Sequence, residues 1–222
     1  MKLVIFDLDG TLIDSVRHFV ETVTVSFEAV GQPVPDEQTI RSVSGITAYD
    51  AMAMLAPGME PGRVEEILKS YREHYFARAG VQNEPLFDGV LPALDRLRAD
   101  PETIVSVATG KSHRGAIQLL ERHGILDRFH SIETPDHNRG KPDPQMLQVA
   151  MVKAGIDRSQ TVMIGDTVHD MRMAKSAGVG AIGVSWGYHE VADLHATGAD
   201  VVLDRFDDLD AAIARLVEPS HA

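Results

Sequence analysis

The sequence predicts an α/β fold, a doubly wound parallel sheet that carries an inserted all-helical domain. Three observations predict it. Short, uninterrupted apolar runs recur along the chain; amphipathic helical patterns separate most of them; and one stretch of about seventy residues after the first run is helical throughout.

The first apolar run, residues 3–6, ends in acid and glycine. A run without polar alternation suits a strand covered on both faces, as in a parallel sheet. Similar runs lie at residues 103–108, 161–164, 181–184 and 201–203. Helical patterns fill the gaps: Ile117, Leu119 and Leu120; Met146, Leu147, Val149 and Ala150; Met171, Ala174 and Ala177. Leu209, Ile213, Leu216 and Val217 give a closing amphipathic helix. Ligands of such sheets sit beyond the carboxyl ends of the strands.

Between the first and second runs the pattern changes. Val16, Phe19, Val20, Val23, Phe27 and Val30 keep the helical period, as do Val64, Ile67, Leu68, Tyr71 and Tyr75. Gly45 ends one helix, and Thr47 with Asp50 opens another as a capping box. A crossover needs only about a dozen residues. The expectation is therefore a helical domain at residues 15–83 inserted into an α/β core made of 1–14 and 84–222. The alternative is extra helices packed on one face of the sheet.

Composition narrows the function. Hydrophobic residues make up 44% and charged residues 24%, as in ordinary globular chains. The net charge of −12 disfavours general attraction to nucleic acid or to an anionic membrane surface. Any anionic substrate must be received by a metal or by a few local cations. Without cysteine there is no disulfide framework, thiol nucleophile or thiolate metal site. Only four apolar residues separate Lys2 from Asp7, too few for a signal peptide, and no apolar stretch is long enough to span a membrane. A cytoplasmic protein is expected.

Two motifs invite a nucleotide-binding reading and fail it. Gly110-Lys111-Ser112 resembles the end of a P-loop, but Val105 stands where that loop needs glycine. Gly178, Gly180 and Gly183 match a dinucleotide fingerprint, with Asp204 near the expected distance. Here, however, the glycines leave a helix and enter a strand, the reverse of the order that aims a helix N-terminus at pyrophosphate. They read as a helix cap and a tight turn.

The chemistry gathers at strand ends. The first strand runs into Asp7-Leu8-Asp9-Gly10-Thr11, and two acids so placed need a cationic partner if buried. Gly10 lets backbone approach a ligand, with its amide free to donate to an anion. Asp14 reads as a helix N-cap. The second strand ends in Thr109-Gly110-Lys111, where a hydroxyl and an amide suit phosphate oxygens. In the segment 140–144, Lys141 stands on a support stiffened by Pro142 and Pro144. A later strand ends in Gly165-Asp166, with Asp170 four residues on from Asp166 and on the same helical face. Oxygen-only ligands favour a hard ion such as Mg²⁺. His169 reads as a neighbour of such a site or a solvated residue.

These four segments, in this order, resemble the signature motifs of the haloacid dehalogenase superfamily, and the helical insert resembles its C1-type cap. The resemblance implies Asp7 as nucleophile and metal ligand, and Asp9 as general acid/base that also lends the metal its carbonyl. Thr109, Gly110, Gly10 and Lys141 would hold the phosphoryl group, Asp166 would complete the metal site, and Asp170 would support it from outside the ligand shell. The presence of Asp9 points to phosphate esters, and the overall resemblance is to the phosphoglycolate phosphatase-like branch. The substrate is then a small phosphorylated metabolite and the protein a monomer or homodimer. A phosphomutase shares the same core residues. A receiver-like phosphoprotein has a similar acidic cluster but its phosphoacceptor on the third strand. For specificity the candidate is Arg41, in the turn that ends at Gly45, as a forked donor to a carboxylate or second phosphate.

Overall fold

One sheet of six parallel strands, in the order β3-β2-β1-β4-β5-β6, organises the chain. The strands are β1 Lys2–Phe6, β2 Thr103–Ala108, β3 Ile132–Glu133, β4 Thr161–Gly165, β5 Gly180–Val184 and β6 Val201–Leu203. The computed structural model describes residues 1–78 and 84–217. The expected boundary of the insert at residue 83 falls outside these.

The apolar runs form the strands because both faces of the sheet are covered. Val4 and Phe6 point into one cluster with Leu94 and Leu97 of α5 (Val90–Ala99), Leu119 and Leu120 of α6 (His113–Arg122) and Ile213 of α10 (Leu209–Leu216). Leu3 and Ile5 point the other way, onto Leu147 of α7 (Gln145–Ala154), Met171 of α8 (Val168–Ala177) and Leu194 of α9 (Val191–Ala196). Alternate residues thus serve opposite cores, so β1 is apolar from Leu3 to Phe6, and only Lys2 at its start is polar, paired with Asp100. Each such Leu, Ile or Phe contributes on the order of 1.5–3 kcal/mol through burial. β3 was not among the expected strands. It is two residues long and half of it is Glu133, so it has no apolar run to read. At the end of α8, Gly178 takes φ +71 as the C-cap before β5 begins.

Helices α1 (Val16–Ala29), α2 (Glu37–Ser42), α3 (Ala48–Leu55) and α4 (Pro61–Arg78) form a separate layer. They close on their own core, which includes Phe27, Ile40, Met52 and Ile67. Thr47 caps α3 as expected, accepting from Asp50 N at 3.1 Å. Asp14 does not cap α1: Ser15 is the N-cap residue, and it makes no side-chain capping bond. The two chain passages linking the layer to the sheet run side by side. Asp14 N donates to Pro85 O at 2.8 Å and Phe87 N to Leu12 O at 3.0 Å. Among the described residues, no helix is long and apolar enough to cross a membrane.

The strand order reverses at β1, which pairs with β2 on one side and β4 on the other. The carboxyl ends of these three strands open beneath the helical layer, at the switch point where such sheets bind ligands.

Candidate active site

Three buried carboxylates and one buried ammonium meet at this switch point. Asp7 follows β1, Asp166 follows β4, and Asp170 lies in the first turn of α8. Each offers one oxygen to a group lying within 4.8 Å of one another. Lys141 reaches in from the loop before α7, with Nζ at 2.8 Å from Asp7 Oδ2 and 2.7 Å from Asp170 Oδ1. The remaining oxygens have their own donors. Leu8 N donates to Asp7 Oδ1 at 2.7 Å, and Thr11 Oγ1 and Tyr188 N donate to the two oxygens of Asp166 at 2.8 and 2.9 Å. Thr167, which begins α8 in a capping box, donates its hydroxyl to Asp170 Oδ2 at 2.6 Å. Asp170 thus lies in the same group of oxygens as Asp7 and Asp166, with Oδ1 on Lys141 and Oδ2 on Thr167.

One lysine does not balance three acids. Burial pushes the Asp7 carboxyl up to about 7; Lys141 pulls the other way and the Asp170 charge adds to the rise. Burial, then the charges of Asp7 and Asp170, hold Asp166 well above the usual carboxylate range. Burial works against the Lys141 ammonium, but Asp170 and Asp7 overcome it and keep the group charged. The cluster thus lacks positive charge, and its donors are all oxygens with no sulfur or imidazole among them. This set fits a hard divalent cation.

Asp9 turns away from that cluster. Its Oδ2 pairs at 3.0 Å with Nζ of Lys111, which also donates to the Tyr75 hydroxyl at 2.9 Å. In the sequence Lys111 presents itself only as the tail of a failed P-loop, and Tyr75 only as an apolar helix position. The one available signal was a cation directly after the Thr-Gly turn at a strand end.

Thr109 is buried at the end of β2 and lines the cavity; its Oγ1 accepts from Lys111 N at 3.2 Å, which leaves the hydroxyl proton to donate. Gly110 also lines the cavity, but space explains the glycine: a Cβ there would meet the carbonyl oxygens of Gly45 and Ile46 at 2.5 and 2.6 Å. Gly10 departs from expectation. Its amide donates to Ile13 O at 2.8 Å and is not free for an anion. The residue is glycine because φ is +80° and a Cβ would run into Asp166 and Tyr188. Arg41 also departs. It lies along α2, paired at 3.0 Å with Glu37, and the cavity is lined instead from Val43 onwards. His169 packs its ring 5.8 Å from that of His189, and burial pushes it down to about 4, so it is a neutral neighbour of Asp170.

A cavity of about 350 Å³ joins these groups to the helical layer. Its core wall carries Asp7, Asp9, Thr109 and Lys111, and its opposite wall carries His18, Phe19, Tyr71 and Tyr75. Glu84, on the returning passage, also lines it and is paired with Arg122 at 3.3 Å.

Residues 4–184 match the family model for haloacid dehalogenase-like hydrolases. A probable phosphatase, IndB, of Dickeya dadantii is 35% identical over 99% of this chain and 96% of its own length. The N-acetylmuramic acid 6-phosphate phosphatase of Pseudomonas aeruginosa is also 35% identical, over 96% of each chain. In fold, the chain is similar to a hydrolase from Pseudomonas syringae, with a TM-score of 0.86 over 98% of this chain and 99% of that one, at 23% identity.

Proposed function

The chain belongs to the haloacid dehalogenase-like hydrolase family, and from that premise we propose that it is a phosphomonoesterase using Asp7 as nucleophile and Mg²⁺ held by Asp7, Asp166 and Asp170. The observation that carries this reading is the cluster of three buried carboxylates around Lys141, of which Asp7 lines a cavity large enough for a small ester. The relatives named as phosphatases support the same reaction class. The substrate is a small phosphorylated metabolite of the phosphoglycolate or sugar-phosphate kind.

Phosphoryl transfer needs positioning and charge neutralisation more than it needs covalent chemistry from the protein. When bound, Mg²⁺ would neutralise the carboxylates and the phosphoryl oxygens. Lys141 adds a second positive charge, and the Thr109 hydroxyl has a proton to give to a phosphoryl oxygen. Leu8 N and Lys141 hold the Asp7 carboxylate in one orientation. An Asp7 oxygen forms a bond to phosphorus while the bond from phosphorus to the ester oxygen breaks, and Asp9 gives that oxygen a proton. Asp9 then takes a proton from a water molecule whose oxygen attacks phosphorus. The bond between phosphorus and Asp7 breaks, releasing inorganic phosphate and restoring the carboxylate. Proton transfer of this kind is worth about 10²–10⁴ in rate. Helices α1–α4 serve as a cap that excludes other water from the intermediate.

The test is Asp7→Asn with p-nitrophenyl phosphate and a panel of metabolite phosphates, in Mg²⁺ and after chelation. The expected result is loss of turnover in the variant on every ester, and loss in the wild type without metal. Full activity of Asp7→Asn would reject the mechanism.

A further inference from the structure

Lys111 spans the two layers of the molecule. It follows β2 in the core, yet its ammonium sits between Asp9 of the core and Tyr75 of α4, 3.0 Å from the carboxylate and 2.9 Å from the phenol oxygen. The same nitrogen lies 4.6 Å from the centre of the Tyr75 ring, and the lysine side chain is only 11% exposed. Tyr75 is itself fixed, stacked against Tyr71 and edge-on to His18 with ring centres 6.1 and 5.0 Å apart. A lysine free at its tip carries about 2 kcal/mol of rotamer entropy and aims nothing; here the phenol and the ring face remove that freedom.

We propose that Lys111 is a positioning residue that fixes the Asp9 carboxyl group for proton transfer, and that it does so only while Tyr75 of the helical layer holds it. The inference rests on Asp9 being the acid/base. A carboxyl group has two oxygens: the ammonium takes Oδ2, which leaves the other to carry the proton to or from the reacting oxygen. Losing that anchor lets the group rotate, and a misplacement of about 1 Å at a reacting group can cost about 10²-fold. The link also makes proton transfer depend on the seating of the helical layer, because one partner of Lys111 belongs to each layer.

The experiment measures single-turnover phosphorylation of the full chain, with Mg²⁺, by an alkyl phosphate and by p-nitrophenyl phosphate. An alkyl leaving group needs the proton, whereas p-nitrophenolate scarcely does. Lys111→Met is expected to slow the alkyl ester about tenfold or more beyond its effect on the aryl ester, in the pattern of Asp9→Asn. Tyr75→Phe, which keeps the ring and its packing, should shift the ratio the same way by a smaller factor. In an Asp9→Asn background neither change should move the ratio further. Equal losses on both esters in Lys111→Met would make it a plain phosphate contact and overturn the proposal, while discrimination by Asp9→Asn would leave the acid/base reading standing. An unmoved ratio in Tyr75→Phe would overturn the link to the helical layer. If Asp9→Asn itself treats the two esters alike, the acid/base reading falls and this proposal falls with it.

Discussion

On the core side of the cavity, all six oxygens of Asp7, Asp166 and Asp170 accept a hydrogen bond or an ion-pair contact, and Lys141 touches two of the three acids. On the helical side the wall is built from His18, Phe19, Tyr71 and Tyr75, which meet one another ring to ring. The first wall is held by directional, charge-assisted bonds. The second is held by ring contacts that tolerate sliding and repacking. Such a division suits a phosphatase whose chemistry must not move while its leaving-group pocket varies. It also predicts that the walls respond differently to pH, to crowding of the seam and to loss of surface charge.

The largest difference is expected from metal removal, which touches the core wall alone. Asp7 is raised from an ordinary value near 3.8 to about 7, and Asp166 is raised as well. Between these limits the folded chain holds protons that the unfolded chain has released. Stability contributed by the cluster is therefore full near the ordinary carboxylate value and is lost as pH rises through neutrality. The lowered imidazoles of His169 and His189 act in the opposite sense below about pH 6.5. The informative quantity is thus the gain in unfolding free energy on adding Mg²⁺ at each pH, which largely cancels the histidines. That gain should be small at pH 5.5 and grow to about 2–3 kcal/mol of stabilisation at pH 8 with Mg²⁺ near a hundred times its Kd. A gain that is flat with pH would mean that the acids are not short of positive charge.

An intermediate effect is expected at the seam between the walls. Gly110 has no need of a left-handed backbone, so Gly110→Ala is a change of volume alone, directed at the carbonyl oxygens of Gly45 and Ile46. Backbone cannot swing aside as a side chain can, and the cost should be about 1–3 kcal/mol in urea unfolding. The same substitution at Gly62 of α4, where a Cβ meets nothing within 4 Å, should be neutral or stabilising by up to about 1 kcal/mol. Similar outcomes at both glycines would show that the helical layer does not rest on the core through this turn.

The two regions also differed in how far the sequence discloses them. Five of the six strands are legible because each is an apolar run, and β3 is not, because two residues containing Glu133 have no period. Asp7, Asp166, Asp170 and Lys141 stand out as charges at strand ends and near helix starts, and the fold brings them together. What cannot be read is who satisfies whom. The Gly10 amide is spent on Ile13, and Asp9 is paired with Lys111. Tyr75 fits the apolar period of α4, and only its contact across the cavity, 36 residues away in the chain, reveals the phenol's use. Period and spacing report local geometry; partnerships across layers are set by tertiary packing.

The smallest effect is expected at Arg41, and it bears on the helical wall directly. From the sequence this residue is a candidate anion receptor, since it begins the turn that ends at Gly45. The structure shows why proximity in sequence is insufficient: the turn from Val43 to Thr47 lines the cavity, but Arg41 belongs to the last turn of α2 and runs back along that helix to Glu37. An exposed pair four residues apart on a helix is worth about 0.3–0.5 kcal/mol. Arg41→Ala should therefore change stability by no more than that, and it should change kcat/KM for a carboxylate-bearing ester and for a neutral sugar phosphate by the same small factor. A selective loss on the carboxylate-bearing ester would place Arg41 in the pocket during turnover. The helical wall would then supply charge as well as aromatic surface, and the contrast with the core wall would have to be redrawn.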